Sequence, residues 1–458
     1  MRKILALIMA LILVFSLVAC GGSDDTTETT TGEATVTTTE GESSSSDEEI
    51  TISFMHFYNE EDRATDNGVD SFRTVMENWL ADHPNVKLEE STMAQTDFAT
   101  KIQALAAVDD LLDLFFVKGS WMTNFQNSDL LMPLNDIIDN YEQKDKIYPS
   151  AFDACTDDEG NIYGIPNQQS ITSLVYYNAE LWKQAGFDEF PKTWAEVEQA
   201  AEYFKQNDIV PFALGNKDLW PSESCWLSAV GDRFTDTDWT SKIIAGDPSA
   251  KFTDPDFVDS LQFMADLAPI LNEDYNSIGN TQANEFYYCT GKAATMIEGQ
   301  WAIGTINASA DEDVVKNTKI ALLPTVDGGK GRANVTSGGY GWFASINSKI
   351  EAGPKLDAIA SLLMDTGCYE MSKYYLETYG LVGTCQVENP DLSNVSELAQ
   401  QYTTLADQLD GLVPTYDLLM EASVIEVMNI GLQEVLNGTK SPEDLAQEIQ
   451  NEQDKLFG

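Results

Sequence analysis

The chain has 458 residues, with 26 Lys and Arg against 75 Asp and Glu, for a formal charge of −49. Such an excess of acid argues against nucleic acid and anionic membrane surfaces as partners, because both require a positive face. Two histidines, and six cysteines without close pairs or zinc-finger spacing, offer no recognisable metal set and no disulfide framework, so no metal and no cofactor is expected.

In chain order, Arg2 and Lys3 precede an apolar run from Ile4 to Ala19 that ends at Cys20. A basic start, an apolar stretch and small residues before a cut make residues 1–19 a secretory signal peptide; a spanning helix would need about 20 apolar residues. Leu17-Val18-Ala19-Cys20 resembles the lipobox of bacterial lipoproteins, which makes Cys20 the expected lipid-bearing N-terminus. Losing Arg2 and Lys3 but no acid moves the charge of the mature chain from −49 to −51. Residues 20–49 then read as a disordered acidic Ser/Thr tether, since such composition buries too little apolar surface to offset ordering entropy. Its flexible reach is roughly 30 Å.

Beyond the tether the elements alternate. Ile50 to Phe54 alternates apolar and polar like a strand, and Val69, Phe72, Met76, Trp79 and Leu80 form one stripe of a helix over 69–82, stopped near Pro84. A short strand at 86–88, a helix over 98–108 and a buried strand at 112–117 complete a strand–helix alternation that predicts a largely parallel α/β sheet. Residues 157–161 are turn chemistry, 173–178 a strand and 180–186 a short helix ended by glycine. Thr193-Trp194-Ala195-Glu196 has the capping-box pattern, with Val197, Ala200, Ala201 and Phe204 as the buried face behind it. Ser441-Pro442-Glu443-Asp444 starts the last helix.

The stretches YGIPNQQSITSLVYYN (163–178), FPKTWAEVEQAAEYF (190–204), GKAATMIEGQWAIG (291–304) and SPEDLAQEIQ (441–450), with ALLPTVDGGKG at 321–331, stand in a familiar order. In them the chain resembles the extracellular solute-binding proteins of bacterial ABC importers, in the carbohydrate-binding group related to maltose-binding protein. The resemblance implies an α/β fold of two lobes, each a sheet flanked by helices, with the ligand cleft between them. Lobe 1 is expected at 50–165 plus 325–383 and lobe 2 at 166–324 plus 384–458. It implies a lipid-anchored monomer on the extracellular face of the membrane, which carries a sugar to permease subunits by hinge closure.

A sugar presents apolar ring faces and a rim of hydroxyls, so its site needs flat aromatics together with amides or carboxylates. The resemblance puts Trp301 at a stacking position, with Glu298 before it, and Trp220 with Asp218 in the corresponding loop of the same lobe. Tyr340 and Trp342 sit among the glycines of TSGGYGWFAS (336–345). Ligand contacts in open α/β sheets gather at strand carboxyl ends, which nominates Tyr58, Asn59 and Glu60, with His56 behind them, and Ser120 and Trp121. Asn167, Gln168 and Ser170 lie where the chain crosses between lobes. An enzyme is not expected: no GxSxG elbow, P-loop, HExxH or strand-following GxGxxG is present, and among 75 acids a carboxylate pair carries no information. The alternative within binding proteins is a receptor for a cationic or peptide-like solute such as a polyamine.

Overall fold

The computed structural model describes residues 49–457. The signal-like segment, Cys20 and almost all of the tether lie outside the described residues. Following the chain, β1 (Ile50–His56), β2 (Val86–Thr92) and β3 (Leu114–Lys118) come first, and the short strands β4 (Ile165–Pro166) and β5 (Ser170–Ile171) cross away from them. Next come β6 (Leu174–Asn178), β7 (Val210–Ala213), β8 (Ala293–Glu298) and β9 (Thr318–Ala321), and the chain returns through β10 (Val335–Gly339), β11 (Trp342–Ile346) and β12 (Gly411–Pro414).

These strands form three sheets in the orders β2-β1-β3-β11-β4, β12-β10-β5 and β7-β8-β6-β9. The first is parallel over β2-β1-β3, as the alternation predicts, but β11 runs antiparallel to β3 and β4 antiparallel to β11. The cause is the point of entry: Trp342 pairs with Lys118, so β11 starts at the edge where β3 ends. A chain returning from the crossing strands can enter there only in the opposite direction.

Helix starts follow local chemistry. The helix Asn67–Asp82 is capped by Asp66, whose carboxylate accepts from the N–H groups of Gly68 and Val69. Its buried face is Val69, Phe72, Val75, Met76 and Trp79, while Leu80 is only half-buried. At Thr193 the expected box forms differently. The hydroxyl accepts weakly from the Glu196 N–H at 3.4 Å and donates to the Glu196 carboxylate at 2.8 Å, so Glu196 is held at the cap without reaching the Thr193 N–H.

Apolar side chains gather in two main cores. One contains Phe54, Phe72, Phe115, Phe116, Ile165, Phe343, Leu362 and Met371, and the other Trp182, Phe204, Trp226, Phe257, Met428 and Leu445. A smaller third core joins Ile171 and Leu174 to Ile303, Ile306, Tyr375 and Tyr402. The Thr172, Ser173, Ser337 and Thr415 hydroxyls hydrogen-bond one another, which satisfies polar groups buried along the crossing strands.

Candidate functional site

Strand β8 is buried along its whole length and ends at Glu298, so the chain must turn at Gly299 before the helix Ala302–Ser309. A Cβ at Gly299 would lie 2.2 Å from the Trp301 ring, so glycine there lets the indole fold back over the turn. Trp301 Nε1 donates to Glu298 Oε2 at 2.8 Å, and Asn284 Nδ2 donates to Oε1 at 3.1 Å. Glu298 is only 2% exposed, and burial raises its pKa against the pull of those hydrogen bonds. Its carboxylate is therefore spent on holding the indole.

Trp220 meets Trp301 edge to face, with centroids 5.8 Å apart at 67°. Both rings are half-buried, resting on one core with one side left to solvent. The loop that presents Trp220 bends through Leu219 at φ 73°, and Asp218 Oδ2 accepts from the Asn280 N–H at 2.8 Å. Asp218 thus fixes the loop.

A second aromatic group stands at the carboxyl edge of the first sheet. Trp342 meets Trp121 at 5.4 Å and Phe57 at 4.6 Å, both edge to face. Lys118 Nζ lies 5.7 Å from the Trp342 ring centroid and pairs with Asp417 Oδ2 at 2.8 Å. Trp342 and Phe57 are half-buried, and Trp121 and Ser120 are buried. Tyr58 stacks on Phe72 and is buried; its hydroxyl accepts from Asn167 Nδ2, and burial raises its pKa. His56 is fully buried between Glu90 Oε2, 3.2 Å from its Nε2, and the Tyr58 N–H, and burial lowers its pKa. Asn59 donates to Phe57 and Met93 carbonyls, and Glu60 is exposed in ion pairs with Arg73 and Arg63. Tyr58, Asn59 and Glu60 therefore buttress the edge that carries Phe57 and Trp342.

The two groups are linked at the crossing. Gln168 Oε1 and Asn67 Nδ2 are buried and have no protein partner, and the Gln168 amide lies against Gly68 at the start of the helix 67–82. At the same place Thr65 O and Asn67 Oδ1 would each be 2.8 Å from a Cβ at Gly304. The helix carrying Trp301 thus touches the helix following β1. Ser170 sits in β5, half-buried, paired with Gly339. Tyr340 turns elsewhere: its hydroxyl donates to Gly383 O at 3.4 Å, and its ring lines a cavity of about 600 Å³ with Met122, Leu412 and Leu418. None of Trp121, Trp220, Trp301 and Trp342 lines that cavity.

Phe57, Asn67, Lys118, Asn284, Gly304 and Asp417 join the site in the folded chain without having been singled out by the sequence. Lys118 ends β3 and was within reach of the strand-end rule that nominated Ser120. Phe57, Asn67, Gly304 and Asp417 are joined to the site by contacts between residues hundreds of positions apart, such as Lys118 with Asp417, whereas Asn284 reaches Glu298 from only 14 positions away. Among the described residues no cluster of His, Cys, Asp and Glu could hold a metal ion, and no helix is long and apolar enough to cross a membrane. Half-buried indoles beside buried amides can grip a ligand with apolar ring faces and neutral polar groups.

Residues 65–360 match the family described as bacterial extracellular solute-binding protein. An uncharacterized ABC transporter extracellular-binding protein of Pyrococcus horikoshii is 26% identical over 247 residues, 52% of this chain and 54% of its own. The sn-glycerol-3-phosphate-binding periplasmic protein of Brucella abortus is 27% identical over 199 residues, 41% of this chain and 42% of its own. The chain spans about half the length of the curated relatives it matches. Among solved structures, a chitin oligosaccharide binding protein superposes with a TM-score of 0.78 at 24% identity, covering 89% of this chain and 98% of that one. Maltose-bound MalE3 of T. maritima superposes at 0.69 with 20% identity, covering 89% and 99%. These likenesses establish the fold as the two-lobed α/β architecture.

Proposed function

Because the chain belongs to the bacterial extracellular solute-binding proteins, we propose that it binds an oligosaccharide outside the cell and delivers it to the permease subunits of an ABC transporter. The observation that carries this reading is the half-open Trp220–Trp301 pair, in which Glu298 holds the Trp301 indole and Trp220 meets it edge to face. Indoles so held offer flat apolar faces, and their ordering is already complete before ligand arrives. Trp121, Trp342 and Phe57 supply a second aromatic platform, with Gln168 and Asn67 as amides for hydroxyls. Asn167 and Ser170 line the crossing beside them. Lobe 1 is assigned to 50–165 plus 325–383 and lobe 2 to 166–324 plus 384–458, which keeps each main core largely within one lobe. The chain works as a monomer held at the membrane by lipid on Cys20, and it binds without cleaving. The names of structural neighbours support sugar as the ligand class: one binds chitin oligosaccharide and another holds maltose.

A thermal-shift screen of the folded protein against neutral oligosaccharides and polyamines tests this, since a ligand that binds only the folded state raises the melting midpoint. A shift with an oligosaccharide and none with polyamines is expected. A shift with polyamines alone would replace the reading by the cationic-solute alternative, to which the acidic surface is also suited.

A further inference from the structure

Five cysteines lie among the described residues, all buried and all reduced. Two of them meet. Cys368 stands at the junction of the helices Pro354–Gly367 and Tyr369–Tyr379, and one turn later on the same face is Ser372. The Ser372 hydroxyl accepts from the N–H groups of both Thr384 and Cys385 at 2.9 Å, which lays the segment 383–385 directly on the helix start. Gly383 makes this possible, since a Cβ there would lie 2.5 Å from Ser372 Oγ. Cys368 and Cys385 are thereby brought together in one core, 0% and 2% exposed. The segment is also tied outward: Thr384 Oγ1 donates to Pro166 O in β4 at 2.8 Å, and Cys385 bridges Ile147.

We propose that Cys368 and Cys385 are a covalent modification site, oxidised to a disulfide as the exported chain folds. The oxidant is a disulfide of the thiol-exchange class, as in glutathione disulfide or the active-site disulfide of an oxidoreductase. One protein thiolate attacks a donor sulfur, breaking the donor S–S bond and forming a mixed disulfide. The second protein cysteine attacks the first, forming the protein S–S bond and releasing the other donor thiol. Two electrons pass to the donor, and the two protein thiol protons end on the two donor thiols. Burial, with the neighbouring Cys385 adding to it, pushes the Cys368 thiol well up, so little thiolate is available once the segment has docked. The bond therefore forms before docking is complete and is protected afterwards. It would fasten the helix start to the segment that holds β4, one of the strands crossing between lobes.

The test is to reduce and unfold the full chain, refold it in a glutathione redox buffer, quench with acid, alkylate and digest. A linked peptide pair containing Cys368 and Cys385, about 2 Da lighter than the sum of its reduced halves, is the expected result. Dithiothreitol should then lower the melting midpoint of the oxidised wild type and leave Cys385→Ser unmoved. Should Cys385→Ser not fold, Cys385→Ala serves the same comparison, and Cys155→Ser must retain the linked pair. Recovery of Cys368 and Cys385 both alkylated, or linked to another cysteine, overturns the proposal.

Discussion

At the scale of single residues, Trp301 and Glu223 make opposite demands on their surroundings. Trp301 needs an acceptor for its N–H and a free face, and it has both. Trp301→Ala should weaken sugar binding by about 2–4 kcal/mol, or roughly 30- to 1000-fold, measured by calorimetry below the variant's melting midpoint. Normal affinity in a folded Trp301→Ala protein would remove the indole from the site. Glu223 is fully buried and its Oε2 has no protein partner; Oε1 accepts from Ser228 Oγ at 2.8 Å. Burial first, and the Asp417 charge second, raise its pKa well above the ordinary 4.5, with Lys118 and Ser228 opposing. The folded state thus keeps this proton at pH values where the unfolded chain has lost it, so its contribution to stability is complete below about pH 4.5 and declines as pH rises toward the folded pKa. Glu223→Gln cannot ionise and should melt above wild type at pH 8, with the gap closing toward pH 4. A variant that melts below wild type at both pH values would contradict this.

At the scale of elements, the helix Ala302–Ser309 is the link between Trp301 and the opposite body. Gly304 gives Thr65 O and Asn67 Oδ1 room to approach, and Thr305 Oγ1 donates weakly to Thr65 O at 3.4 Å. Gly304→Val would push these elements apart and displace Asn67 with them. It should weaken binding by about tenfold or more, about 1.4 kcal/mol, and abolish ligand-induced compaction in solution scattering. Unchanged compaction would mean that the contact plays no part in closure. The same elements show what a sequence discloses. β1, the helix Asn67–Asp82, β6 and the helix Trp194–Gln206 were legible because period, cap and stop signals are local. β4, β5 and β12 are two to four residues long, below any periodicity, and pair with strands far along the chain, so they were not. The antiparallel entry of β11 was hidden for the same reason. Trp220 and Trp301 could be nominated by resemblance, but that Glu298 serves the indole depends on a turn at Gly299 that only coordinates reveal.

At the scale of the whole molecule, the charge of −49 sets how it must meet its ligand. A neutral oligosaccharide has no charge to be screened, whereas a polyamine attracted by this field would bind less tightly as salt shortens the Debye length from about 10 Å at 0.1 M to about 3 Å at 1 M. The central claim, a receptor for a neutral sugar gripped between two lobes, therefore rests on one measurement above others. Calorimetric titration of the full-length folded protein with chito-, xylo- and malto-oligosaccharides and with spermidine, each in 0.1 M and 1 M salt, reads ligand class and electrostatics together. Saturable binding of one oligosaccharide series is expected, with a Kd that hardly moves between the two salt concentrations. No heat from any sugar, with spermidine binding that collapses in 1 M salt, would contradict it.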